Sequence, residues 1–418
     1  MPQSRSNHRA SQRLPTRALY WQKRAAAASS GRGGRRCNRA CCAAVAGREG
    51  HRTIVPPPAP PGLPHKKMKL ATLKDGSRDG QLAVVSRDLA TAHFATGIAT
   101  RLQQVLDDWN FLSPQLEDLY ATLNGSKARH AFAFDPRACM APLPRAYQWA
   151  DGSAYPSHVR RVLHARGAEV PASLLEVPLM YQGGSDDFLG PNDDAVFADA
   201  EFGIDLEAEL AVISGDLPMG SSADEALEAV RLVMLANDWS LRALVAADVA
   251  SGFGFLHSKP ATAFAPVAVT PDELGSAWRG GRVRLPVTTS INGQRLGQVA
   301  GGAGMHFHFG QLLAHLARTR NVRAGCIVGG GTVSHDDQAH GVSCLAERRA
   351  LEMIQGGQAI SGWLQFGDLV RIEVVDGAGQ SVFGAIEQRV RAQGGRAESA
   401  GPAHPADPAD PADHKAAG

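Results

Sequence analysis

The stretch Gly203-Ile204-Asp205-Leu206-Glu207-Ala208-Glu209-Leu210-Ala211-Val212-Ile213-Ser214-Gly215 decides the fold. It alternates with a period of two, which puts Leu206, Ala208, Leu210 and Val212 on one face of a strand and Glu207 and Glu209 on the other. Carboxylates at i and i+2 project from the same side, close enough to share a divalent cation. The same pattern also describes a solvated strand edge, and both readings stay open at this point.

Downstream, Ser222-Ala223-Asp224-Glu225 is a capping box. It predicts a helix whose apolar residues Leu227, Val230, Val233 and Met234 fall at helical spacing. Asn237-Asp238-Trp239-Ser240 follows the predicted helix end, so Asp238 supplies a third carboxylate at a helix-to-loop junction, where an Asp also serves as a turn or cap. Arg242 and Lys259 come next, Lys259 within a segment whose glycines, Gly252 and Gly254, permit close backbone approach. Residues 283–291 alternate weakly and meet Asn292-Gly293, a type I′ hairpin signal. Residues 310–320 read as a helix, and 369–375 as a strand turning at Asp376-Gly377. The reading is mainly β, in the α+β class. With no βαβ rhythm and no GxGxxG or GxxxxGK[ST] motif, a doubly wound nucleotide-binding fold is excluded.

A length of 418 residues allows two or three domains with a sizeable core. The net charge of +2 conceals an uneven distribution: residues 1–67 hold 14 Lys+Arg against one acid, Glu49, for a local +13, which leaves −11 on the remainder. This basic stretch predicts a disordered leader. Three readings apply to it: a nucleic-acid-binding arm, a transit peptide, or translated sequence preceding a true start at Met68. The Pro-Ala-Asp repeats near the other end predict a disordered tail over 392–418. A composition break near Pro142–Pro144 divides the rest into 68–143 and 144–391. No run of about 18 apolar residues predicts a membrane helix. Of six cysteines, Cys37, Cys41 and Cys42 lie in the leader, and Cys139, Cys326 and Cys344 show no metal-site spacing, which fits a reducing cytoplasm.

Upstream, Asp151-Gly152-Ser153-Ala154-Tyr155-Pro156-Ser157-His158 adds a carboxylate and a histidine seven residues apart. Alone, a His after a Pro-Ser turn reads as an exposed loop residue.

The strings GIDLEAELAVISG (203–215), NDWSLR (237–242), SKPATAFAPVAVTPDELG (258–275), GGGTVS (329–334) and CLAERRALEMI (344–354) resemble, in order and spacing, the fumarylacetoacetate hydrolase family. The resemblance covers about residues 68–390. It implies a small N-terminal barrel-like domain, a C-terminal mixed β-sandwich roll, one Mg²⁺ or Ca²⁺ per site, and a homodimer. It also implies that Asp151, Glu207, Glu209 and Asp238 are metal ligands, His158 the general base and Glu347 the acid that orients it. Lys259 and Arg242 would supply positive charge during the reaction, and Tyr181, Thr332 and Arg166 would contact substrate. Three departures stand out. Val245 replaces a glutamine of the animal enzymes, Arg166 is only near the register of the family's substrate arginine, and one extra residue separates Ser343 from Glu347.

The implied activity is metal-dependent hydrolysis of a carbon–carbon bond in a 2,4-diketo acid. Fumarylacetoacetate, cleaved to fumarate and acetoacetate in tyrosine and aromatic catabolism, is the most concrete substrate. An isomerase, decarboxylase or hydratase of 2-oxo-diene diacids is the alternative within the same scaffold. A basic-arm nucleic-acid-binding protein is the remote one, because it leaves the carboxylates idle. The expected partner is therefore a small molecule, with neither nucleic acid nor membrane.

Overall fold

Val230-Arg231-Leu232-Val233-Met234-Leu235-Ala236-Asn237 is nearly continuous in apolar character. In the computed structural model, which describes residues 67–394, it forms the strand Val230–Asn237. Both faces are buried: Leu232, Met234 and Ala236 enter one core, Val233 and Leu235 the other. The helix expected to run on to Met234 is corrected accordingly. Its capping box is present, Ser222 Oγ accepting from Glu225 N while Glu225 accepts from Ser222 N, but the helix is Ala223–Glu228. A strand buried on both faces is apolar at every spacing, including three and four, and so imitates a helical stripe. Asp238 therefore follows the end of a strand, not of a helix.

Ala208–Ser214 lies beside Val230–Asn237 in antiparallel register, Glu209 opposite Ala236. Its other edge pairs antiparallel with Ile327–Gly329, which in turn pairs in parallel with Trp149–Gly152, Gly329 opposite Asp151. These strands form the middle of an eleven-stranded sheet. On the far side of Val230–Asn237 the sheet continues through Ala268–Val269, Lys69–Leu73, Gln81–Val85, Thr91–Phe94 and Phe132–Ala133, so the first strands of the described chain extend the main sheet. Five strands, among them Pro286–Ile291, Gln294–Ala300 and Leu369–Val374, form a second sheet, and a two-stranded ribbon joins Ile204–Asp205 to Ser240–Leu241. Asn292 and Gly293 have φ of 51° and 78°, as the type I′ hairpin requires. The helix expected at 310–320 is Phe309–Leu316, and the strand expected at 369–375 is Leu369–Val374. The architecture is mainly β, α+β, as read from the sequence.

The leader and tail expected over 1–67 and 392–418 lie outside the described residues, except for their innermost positions. Among the described residues, no helix is long and apolar enough to cross a membrane.

Glycine is required where the sheet meets the carboxylates. A Cβ on Gly329 would overlap Asp151 Oδ1 and the Trp149 ring. Gly329→Ala is therefore expected to cost about 1–3 kcal/mol of stability by overpacking. Denaturant titration checks this, and a variant as stable as the parent would show that the sheet yields there without strain.

Candidate active site

The odd-numbered face of Ala208–Ser214 explains how a carboxylate comes to be buried. Ile213 and Ala211 pack into core with Trp149 and Ile327, and the next position along that face is Glu209, with no exposure at all. Asp151 arrives from Trp149–Gly152, one strand beyond Ile327–Gly329, and Asp238 from the turn after Val230–Asn237. Oxygens of Asp151, Glu209 and Asp238 lie within 4.8 Å of one another, and all three residues are buried. The solvated-edge reading of Glu207 and Glu209 does not hold.

These carboxylates differ in how they are satisfied. Asp238 accepts three hydrogen bonds and keeps capacity on Oδ1: Oδ1 accepts from Thr262 Oγ1 at 2.8 Å, and Oδ2 from Lys259 Nζ at 2.6 Å and Tyr181 OH at 2.5 Å. Asp151 Oδ1 accepts from Gly331 N at 3.1 Å. Neither oxygen of Glu209 meets a hydrogen-bond donor. Burial, then the charges of Asp151 and Asp238, push the Glu209 carboxyl well above its usual range, and burial and Asp238 do the same to Asp151. Orphaned, repelling carboxylate oxygens fit a hard divalent cation, which takes oxygen ligands and compensates the charge.

Glu207 stands apart from this trio. The strand breaks at Leu206–Glu207, and Glu207 turns to cations instead: Oε1 accepts from Arg242 Nη2 and Oε2 from Lys259 Nζ, each at 2.6 Å. Burial opposes its charge, but Lys259 and Arg242 outweigh burial and hold its pKa below the carboxylate range. Lys259 is likewise disfavoured by burial, and Asp238 with Glu207 keeps it charged. Arg242 Nε also donates to Asp205 Oδ2 at 2.9 Å. Asp205 in turn accepts from the backbone N–H groups of Leu345 (2.8 Å) and Ala346 (2.9 Å), at the start of helix Leu345–Gly356.

That helix carries Glu347 in its first turn. His158, in the first turn of Pro156–Ala165, meets it: Nδ1 lies 3.3 Å from Glu347 Oε2. The extra residue after Ser343 therefore leaves the pair intact. Glu347 Oε1 is held by Ser334 Oγ at 2.7 Å and by Arg161. Burial opposes the charge of Glu347, but hydrogen bonds from His158, Ser334 and Arg161 keep its pKa below the ordinary value.

A cavity of about 190 Å³ joins the two groups. It is lined by Asp151, His158, Arg166, Tyr181, Glu207, Arg242, Lys259 and Thr332, with an apolar wall that includes Val162, Val245 and Phe255. Glu209, Asp238 and Glu347 are fully buried and do not line it; each reaches it through a lining residue, Asp151, Lys259 or His158. Tyr181 packs edge-on to Phe255 at 5.0 Å while its hydroxyl donates to Asp238. Arg166 ends the His158 helix, and burial, with Arg242 nearby, pushes its pKa down, a cost that a bound anion would relieve. Sequence reasoning missed Arg161, Ser334, Thr262 and Asp205. Two of them carried a signal: Asp205 shares the parity of Glu207 and Glu209, and Arg161 lies one helical turn from His158.

Comparison with known proteins places the chain in a family. Residues 148–391 match the family model of the fumarylacetoacetate (FAA) hydrolase C-terminal domain, and 68–145 that of fumarylacetoacetase N-terminal domain 2. A curated relative, 2,4-didehydro-3-deoxy-L-rhamnonate hydrolase of Sphingomonas sp. (strain SKA58), is 30% identical over 158 residues, 37% of this chain and 52% of the relative, so the match spans about half of that protein. Two solved structures share the fold. One is a probable 2-hydroxyhepta-2,4-diene-1,7-dioate isomerase from Mycobacterium abscessus (TM-score 0.54, 18% identity, 78% of this chain and 99% of that one). The other is maleylpyruvate hydrolase from Sphingobium sp. SYK-6 in complex with manganese(II) and pyruvate (TM-score 0.52, 16% identity, 78% and 99%). With more than half of its length matched by the catalytic-domain model, the chain belongs to the fumarylacetoacetate hydrolase family.

Proposed function

We propose that this protein is a divalent-cation-dependent hydrolase that cleaves a carbon–carbon bond in a 2,4-diketo acid, with fumarylacetoacetate, split to fumarate and acetoacetate, as its substrate. The observation that supports this reading is the opening of the His158–Glu347 pair onto the same cavity as the buried carboxylates. An enzyme that only stabilises an enolate needs the carboxylates; one that adds water needs the pair as well. The name of the curated relative, a hydrolase, points the same way.

Asp151, Glu209 and Asp238 would hold Mg²⁺, Ca²⁺ or Mn²⁺, and Glu207, held here by Arg242 and Lys259, would join them as a fourth ligand by exchanging one of those contacts for the cation. When bound, such a cation supplies Lewis acidity to a carbonyl oxygen and charge compensation to an enolate. The chain's own groups do the rest. His158 donates Nδ1–H to Glu347, which leaves the Nε2 lone pair to take a proton from water. Glu347, fixed by Ser334 and Arg161, holds that tautomer and offsets the imidazolium charge. Water oxygen bonds to the carbonyl carbon, the carbon–carbon bond breaks toward the leaving carbon, and the proton on Nε2 is available to quench it. Arg166 and Arg242 face the substrate carboxylates, and Lys259 faces the developing negative charge. Val245, in place of a hydrogen-bonding side chain, makes this wall of the cavity apolar.

The test is a panel of 2,4-diketo acids and 2-oxo-diene diacids incubated with purified protein, with and without chelator, and products identified by mass. Fumarate plus acetoacetate, formed only when cation is present, is the expected result. Turnover confined to isomerised diene diacids would overturn the hydrolytic reading.

A further inference from the structure

We propose that His158, Cys344 and Glu347 form a second metal site, selective for a thiophilic divalent cation such as Zn²⁺, and that filling it switches the enzyme off by capturing the general base. The inhibitory part rests on the reading of His158 given above; the site itself does not.

Its donors come together from two helices. His158 lies in the first turn of Pro156–Ala165, Cys344 caps Leu345–Gly356, and Glu347 is in that helix's first turn. One ligand atom from each lies within 4.8 Å of the others. His158 Nδ1 is 3.3 Å from Glu347 Oε2 and 4.0 Å from Cys344 Sγ. Metal bonds of about 2.0–2.3 Å in a tetrahedron give donor-to-donor edges of roughly 3.3–3.6 Å. The nitrogen–oxygen edge already has that length, the nitrogen–sulfur edge must close by about half an ångström, and the sulfur–oxygen edge lies within 4.8 Å before any ion draws it in. Glu347 Oε1 is occupied by Ser334 and Arg161, whereas Oε2 is free to exchange its contact with His158 for a metal bond.

Donor chemistry separates this site from the carboxylate cluster. Imidazole, thiolate and one carboxylate suit Zn²⁺, Cd²⁺ or Co²⁺, while all-oxygen ligation suits Mg²⁺, Ca²⁺ or Mn²⁺. His158 lines the cavity, with its side chain 16% exposed, which gives the ion an entry path. Binding is balanced by loss of one proton: Cys344 gives up its thiol hydrogen to solvent, and the imidazole proton moves from Nδ1 to Nε2. An imidazole metallated on Nδ1 and protonated on Nε2 has no lone pair left for water. The same cavity thus holds one site whose occupation supports turnover and another whose occupation stops it.

The experiment uses the full chain with excess Mg²⁺, titrated with Co²⁺ while sulfur-to-metal absorption is read, and separately with Zn²⁺ while turnover is read. Cys344→Ser is the paired variant. Serine is the better helix N-cap, so the fold is kept, as thermal unfolding will report. Absorption from other cysteines persists in the variant and subtracts out. The expected result is Cys344-dependent absorption and inhibition by Zn²⁺ whose half-maximal concentration rises in Cys344→Ser by more than the ~10–100-fold that loss of an outer-sphere contact costs. Identical absorption in both proteins, or an unchanged inhibition curve, would overturn the site. Cys344-dependent absorption without inhibition would overturn the inhibitory role and remove His158 as the base.

Discussion

Glu209→Gln is expected to lower turnover by ~10³-fold or more, the scale of losing transition-state charge stabilisation, while leaving a folded protein. Its effect on stability should reverse sign with the cation. In metal-free protein, burial and the neighbouring carboxylates raise the pKa values of Glu209 and Asp151 above their unfolded values near 4. The folded state then holds protons that the unfolded chain has shed, so stability falls as pH rises from about 4 through the folded pKa values. Removing the Glu209 charge relieves that loss. With chelator at neutral pH, the variant should be more stable than the parent by about 1–3 kcal/mol. With cation at ~1,000 times its dissociation constant, the parent gains ~4.1 kcal/mol and the order inverts. Thermal unfolding with and without chelator measures both. Full turnover in the variant, or parent stability indifferent to cation, would remove the metal assignment.

His158→Ala should separate chemistry from binding. Loss of a positioned general base typically costs 10²–10⁴-fold, and the fall should lie in kcat with KM little altered. Cation-induced stabilisation should survive intact, because no atom of His158 belongs to the oxygen cluster. Retained turnover within a fewfold of the parent would send the search for the base elsewhere along the cavity wall.

The stretch 203–215 announced itself through the alternation of Leu206, Glu207, Ala208, Glu209 and Leu210, and the motifs read from the sequence pointed to His158, Tyr181, Arg242, Lys259 and Thr332, all of which line the cavity. What the sequence hid has physical causes. Val230–Asn237 imitated a helix because a strand with two buried faces offers no polar phase to read. Glu207 and Glu209 share parity, yet the break at Leu206–Glu207 hands Glu207 to Arg242 and Lys259 and leaves Glu209 with Asp151 and Asp238. Arg161 sat one turn from His158, but its purpose depends on Glu347, 186 positions away. The contact between Cys344 and His158 likewise spans 186 residues, beyond any local pattern.

The parallel pairing of Ile327–Gly329 with Trp149–Gly152 has a further consequence, for the order in which the molecule folds. Asp151 meets Gly331 across 180 positions of chain, and His158 meets Glu347 across 189. Closing loops of that length is slow and must precede any reward from the contacts they enable. Glu209 and Asp238 come from strands that pair directly, whereas Asp151 reaches them only across Ile327–Gly329, so the trio is complete only once that strand is in place. Completion of the cation site is therefore expected late in folding, which would let the cation stabilise the finished sheet without guiding its construction.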